Sequence, residues 1–107
     1  MGEFSFFMFD ARLGIHVPHI TKDWEQYSMP DREAVVTQWE QIRGSIPEKI
    51  KEFEAIINAK QLLMNEAEDF VNCCRLNAEI AEMASRINDL HLWFRANQDV
   101  SDTKAHT

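Results

Sequence analysis

The 107-residue sequence has few of the residues that punctuate or staple a fold: three glycines, three prolines and two cysteines. Glycine stands only at positions 2, 14 and 44, so there is no glycine-rich loop to cradle a phosphate, and neither ATP- or NAD-dependent chemistry nor a bound cofactor is expected. The cysteines, Cys73 and Cys74, are neighbours. Adjacent helical residues project about 100° apart and cannot cross-link without distorting the helix, which points to a reducing, cytoplasmic setting. Long apolar runs are missing as well. Phe4 to Phe9 is far too short to span a bilayer and has no basic region or cleavage site beside it, and Ser5 lies one position away from where myristoylation of Gly2 needs it. Positive charge is scarce: eleven Lys and Arg stand against eighteen Asp and Glu, a formal net charge of −7, and no segment of the chain is net basic. Gripping phosphates takes a patch of Lys and Arg, so neither direct nucleic-acid binding nor an anionic membrane partner is expected.

The composition that remains, 45% hydrophobic and 27% charged, suits one soluble folded domain. It is small enough for self-association to supply part of its stability. Most of its pattern is helical. Ser28, then Pro30, Asp31 and Glu33, reads as a helix start, and Val35, Trp39 and Ile42 form the apolar side of a helix over 30–43. Gly44 offers a stop. Ser45 with Glu48 then makes a capping-box pattern that opens a second helix, unless the join is only a kink in one long helix.

From there the apolar positions Ile46, Ile50, Phe53, Ile57 and Met64 follow a four-three repeat that Lys60 alone interrupts, with Ile56 and Leu63 widening the stripe. The acidic stretch Asn65 to Asp69 breaks it. The pattern restarts at Phe70 and runs through Cys73, Leu76, Ile80, Met83, Ile87, Leu90 and Phe94 without a miss. Folding the two arms back about residue 67 sets Met64 near Phe70, Ile57 near Leu76, Phe53 near Ile80, Ile50 near Met83 and Ile46 near Ile87. Leu90 and Phe94 then overhang toward Ile42 and Trp39, so the preceding helix belongs to the same core.

The expected architecture is therefore mainly α. An antiparallel helical hairpin over 45–95 follows a shorter helix, and residues 1–29 form an aromatic N-terminal arm. Within that arm Phe4, Phe6, Phe7, Met8 and Phe9 suit a short buried or edge strand before a turn at Asp10 to Gly14, and Trp24 and Tyr27 need a surface to lie on. Residues 1–96 make a single domain, and the polar, aperiodic 97–107 is expected to be a disordered tail. A lone two-helix hairpin leaves half its stripe wet, so a bundle completed by dimerisation is a natural expectation.

The run Lys49-Ile50-Lys51-Glu52-Phe53-Glu54, the acidic turn, Asp69-Phe70, and then Cys73-Cys74, Leu76 and Ile80 resembles the UVR motif. That motif is a short helical hairpin of the excision-repair proteins UvrB and UvrC and of some partners of Clp-type ATPases. The resemblance covers Lys49 to Leu90 and rests on apolar spacing. The polar signature departs, with Val71 where the family has Glu, and Asn77-Ala78 where it has Arg-Asp. It implies protein–protein interaction by hairpin pairing, with Phe70, Leu76 and Ile80 at the interface, and it does not imply a role in repair.

Candidate chemistry is thin. His16 and His19 have an i, i+3 spacing that two metal-bound imidazoles could use, but Pro18 separates them; with the acidic junction Glu66, Glu68 and Asp69 they are the only basis for an alternative reading as a small metal-dependent enzyme. The plainer reading makes the carboxylates turn and helix-start charges and Cys73 a core residue. The functional expectation is a non-enzymatic interaction module that self-associates or docks on a larger protein, or a regulator that sequesters a partner's helix. Its interface candidates are Ile56, Leu63, Phe70, Val71, Leu76 and Ile80, with Lys60 as a polar residue able to set register.

Overall fold

In the computed structural model, which describes residues 6–106 and the side chains of 6–96, the chain is mainly helical with a small N-terminal sheet. Strand β1 (Phe7–Asp10) pairs antiparallel with β2 (Ile15–Pro18), Phe7 facing Pro18 and Asp10 facing Ile15. The expected strand is therefore there, and Phe4 lies outside the described residues. The second strand was not anticipated, because Pro18 reads as a breaker. Proline is tolerated here at the strand's end, opposite Phe7. Between the strands the Gly14 N–H donates to the Asp10 carbonyl at 2.7 Å and the Leu13 N–H to Asp10 Oδ1 at 3.1 Å. Gly14 has φ of 75°, the left-handed conformation that closes the turn.

A 3-10 turn at Trp24–Gln26 leads to helix α1, Met29–Gly44. Ser28 caps it as its sequence suggests: Ser28 Oγ accepts the Asp31 N–H at 3.2 Å. The aromatic segment before it is fastened from both sides. Tyr27 Oη accepts the N–H groups of Thr21 and Lys22, and Arg32 donates to the carbonyls of Tyr27 and Glu25 while its guanidinium lies 6.0 Å from the Trp24 ring.

Helix α2 spans Ile46–Glu66, separated from α1 by the single residue Ser45. The capping box does not form there. Ser45 is itself near helical, with φ −88° and ψ −9°, and its hydroxyl donates back to the Ile42 carbonyl at 2.6 Å, so the join is a kink. After the acidic junction, α3 runs Phe70–His106. Asp69 caps it, its Oδ1 accepting the Asn72 N–H at 2.9 Å. The helix passes the end expected near residue 95; the side chains of the polar 97–107 segment, on which the expectation of disorder rested, lie outside the described ones.

The two arms pair antiparallel, but in a different register from the one expected. Met64 meets Cys73, whose Sγ lies 3.8 Å from the Met64 carbonyl; Lys60 meets Glu79; the Arg86 guanidinium lies over Phe53; and Arg43 donates to the carbonyl of Phe94. Each partner lies farther along α3 than a fold about residue 67 would place it, by about one helical turn of four residues. The reason is the start of α3. Phe70, taken as the first seam position, is left outside, and the seam begins at Cys73 and Leu76. A one-turn slide keeps a four-three stripe facing its partner, so periodicity alone does not distinguish the two registers.

The core gathers at one end of the hairpin. Ile46 and Phe53 of α2, Leu90 of α3, Val35 and Trp39 of α1, and Phe7, Leu13 and Ile15 of the sheet form one buried cluster, with Ile50, Met83, Ile87, Trp93 and Phe94 packed around it. Trp39 joins three of these layers, its ring 6.5 Å from Phe7 and 5.8 Å from Trp93. Among the described residues no helix is long and apolar enough to cross a membrane.

Candidate functional site

Two features stand out along the hairpin: a charged seam that fastens the sheet to the helices, and a bare apolar tip. The seam centres on Arg12, in the turn between the strands. Its guanidinium donates to Glu82 Oε2 at 3.0 Å, Asp89 Oδ2 at 2.6 Å and Ser85 Oγ at 2.7 Å, three side chains on consecutive turns of α3. The planar fork of arginine suits such divergent acceptors better than the point charge of lysine. Beside it Leu13 is fully buried, and Gly14 lies so close to Lys49 that a Cβ there would stand 3.2 Å from Nζ. The turn thus plugs the groove between α2 and α3 at the level of Lys49.

Toward the tip the same face carries a ladder of charge. Lys60 donates to Glu79 at 2.8 Å, Arg75 reaches Glu79 at 2.9 Å, and Arg86 reaches Glu82 at 3.1 Å. These contacts hold the Glu79 carboxylate below its usual pKa, chiefly through Lys60, and the Glu82 carboxylate likewise, chiefly through Arg86 and then Arg12. The Arg12 pKa is raised in return, first by Asp89. An open groove of about 470 Å³ runs along these residues and is lined also by Ala78 and Met83. Its charges are matched to one another.

The tip is different. Phe70 is 81% exposed, Val71 77%, Leu62 66% and Leu63 57%, and Ile56 is exposed one to two turns below them. Four of the expected interface residues, Ile56, Leu63, Phe70 and Val71, therefore stand on the surface. Leu62 was missed because it lies on the side of α2 away from the seam, where periodicity predicts polar residues. Leu76 is corrected: at 2% exposure it is part of the closed packing between the arms and presents nothing to a partner. Ile80 is half-buried for the same reason. Lys60 is half-buried and engaged with Glu79 of α3 at 2.8 Å.

The residues behind the alternative enzymatic reading are not brought together. His16 sits in β2 with its ring 5.1 Å from Phe9, and His19 is exposed beyond the strand. The sheet packs at the level of Lys49, roughly 25 Å along α2 from Glu66 at 1.5 Å per residue. Among the described residues no group of three or more His, Cys, Asp or Glu is placed to hold a metal ion. Cys73 is half-buried and Cys74 exposed, both as free thiols.

In comparisons with known proteins, no family model, no curated protein and no solved structure matches the chain.

Proposed function

We propose that the chain is a small interaction module whose helical hairpin docks on another protein through its tip. The observation that carries this reading is the group of four large apolar side chains, Leu62, Leu63, Phe70 and Val71, each more than half exposed around one turn. Scattered surface leucines need no explanation, but four large apolar side chains left exposed within ten residues of one another, on either side of the turn that ends a projecting element, are the kind of anchors that protein-binding surfaces use. The base of the hairpin, by contrast, has its own cover of α1 and sheet. Hairpin pairing of the UVR kind belongs to the same reading, with Phe70 as the motif residue that remains available. Leu76 and Ile80 serve the internal packing.

The test is a Leu63→Asp/Phe70→Asp variant compared with the parent chain. Equal helical content and an equal unfolding midpoint, with loss of whatever association the parent shows in sedimentation or native pull-down, is the expected outcome. Association that survives both substitutions would place the binding surface elsewhere.

A further inference from the structure

The chemistry of the tip also indicates what it is built to meet. Between Gln61 and Cys74 the chain has three carboxylates, Glu66, Glu68 and Asp69, and no Lys or Arg. Lys60 and Arg75, the basic residues flanking that interval, are both turned to Glu79. Among the described residues no ion pair joins Glu66, Glu68 or Asp69 to a cation, and all three are exposed. The tip thus combines four exposed apolar side chains, Leu62, Leu63, Phe70 and Val71, with three carboxylates that pair with no Lys or Arg among the described residues, Asp69 serving as the N-cap of α3.

We propose that its partner is a second protein presenting an apolar cleft rimmed by Lys and Arg. The inference rests on the docking reading above and adds the partner's chemistry. A cleft of that kind takes both parts at once: the four apolar side chains leave water, and the three carboxylates meet cations at the rim, where charge sets the rate of encounter and the choice of partner. A second copy of this chain fits badly at the same place. Two tips brought together set three carboxylates against three, in chains that each carry a formal net charge of −7. An anionic lipid surface is repelled for the same reason.

The experiment replaces Phe70 with the photo-crosslinker p-benzoylphenylalanine in the full-length chain, irradiates the cells that make it, and sequences the peptides joined to position 70. A parallel sample carries Glu66→Lys/Glu68→Lys as well, with helical content checked by circular dichroism. The proposal expects linkage to one other protein at an apolar segment flanked by Lys or Arg, and at least about a tenfold loss of that linkage on charge reversal. Linkage that withstands charge reversal, or that falls on a segment without basic neighbours, overturns the partner chemistry and leaves tip docking standing. Linkage to this chain's own peptides overturns it in favour of self-association. No linkage above that of the same crosslinker at exposed Glu54 overturns both the proposal and the docking reading.

Discussion

From Ile46 to Phe53, and around Leu90 opposite, the helical pair lies under a third layer made by Trp39, Phe7, Leu13 and Ile15; from Leu62 to Val71 the same pair has no cover. Both halves follow an apolar repeat with similar side chains. What differs is where the neighbours come from. The base recruits α1 and the sheet from the preceding sequence, because the kink at Ser45 and the hairpin turn at Gly14 fold those segments back onto it. The tip lies beyond their reach, so its apolar residues stay wet. Packing is therefore concentrated at one end of the molecule, while Leu62, Leu63, Phe70 and Val71 stay exposed at the other.

The sharpest contrast should appear on truncating the core. Leu90→Ala removes a fully buried side chain where α1, α2 and α3 converge, and a loss of about 2–5 kcal/mol in urea-unfolding free energy is expected. A loss below about 1 kcal/mol would mean that the base is not the packed end.

Next is the turn that plugs the groove. Gly14→Ala forces a Cβ into a left-handed conformation 3.2 Å from Lys49 Nζ, and a loss of about 1 kcal/mol or more should follow in the same assay. The paired change Arg12→Ala should leave α2 and α3 helical while amide exchange quickens across Leu13 to Val17. Arg12→Lys should restore protection only in part, since one ammonium cannot hold Glu82, Ser85 and Asp89 together. Unchanged exchange in Arg12→Ala would show that burial of Leu13 alone seats the turn.

Acid should act on the charged seam. Glu79 and Glu82 have folded-state pKa values below the ordinary 4.5, so each favours the folded state at neutral pH, and that contribution is lost as pH falls below 4.5 through the depressed values. Thermal melts from pH 6 to pH 3 should show the decline, and it should shrink in Glu79→Gln/Glu82→Gln. An identical acid slope in the double variant would assign the effect to other carboxylates.

Much of this contrast was legible in the sequence, for identifiable reasons. Ser28 and Asp69 announce helix starts through side chains that cap backbone N–H groups, a purely local chemistry, and both do so. Val35, Trp39, Leu90 and Phe94 were placed in one core because a longer second arm must overhang toward them. The register was not legible. The four-three repeat is satisfied again after a slide of one turn, and the contacts that distinguish the registers, Cys73 against Met64 and Lys60 against Glu79, are made across the turn between the arms, where no pattern along a single helix shows them. Arg12 was passed over for a related reason: nothing near it in sequence hints at Glu82, Ser85 and Asp89, and only the turn at Gly14 carries it to them. Of the tip, Leu63, Phe70 and Val71 were found by pattern. Leu62 was not, since a lone leucine on the outer side of a helix looks like ordinary surface.

The smallest expected effect bears on the central claim, that the base folds the molecule and the tip is free. It is the unfolding free energy of Leu63→Asp/Phe70→Asp, measured at several protein concentrations beside the parent. A difference within about 0.5 kcal/mol at every concentration is predicted, as for side chains that the folded chain leaves in water. A loss approaching that of Leu90→Ala would contradict the account, because it would mean that Leu63 and Phe70 are buried in the folded protein.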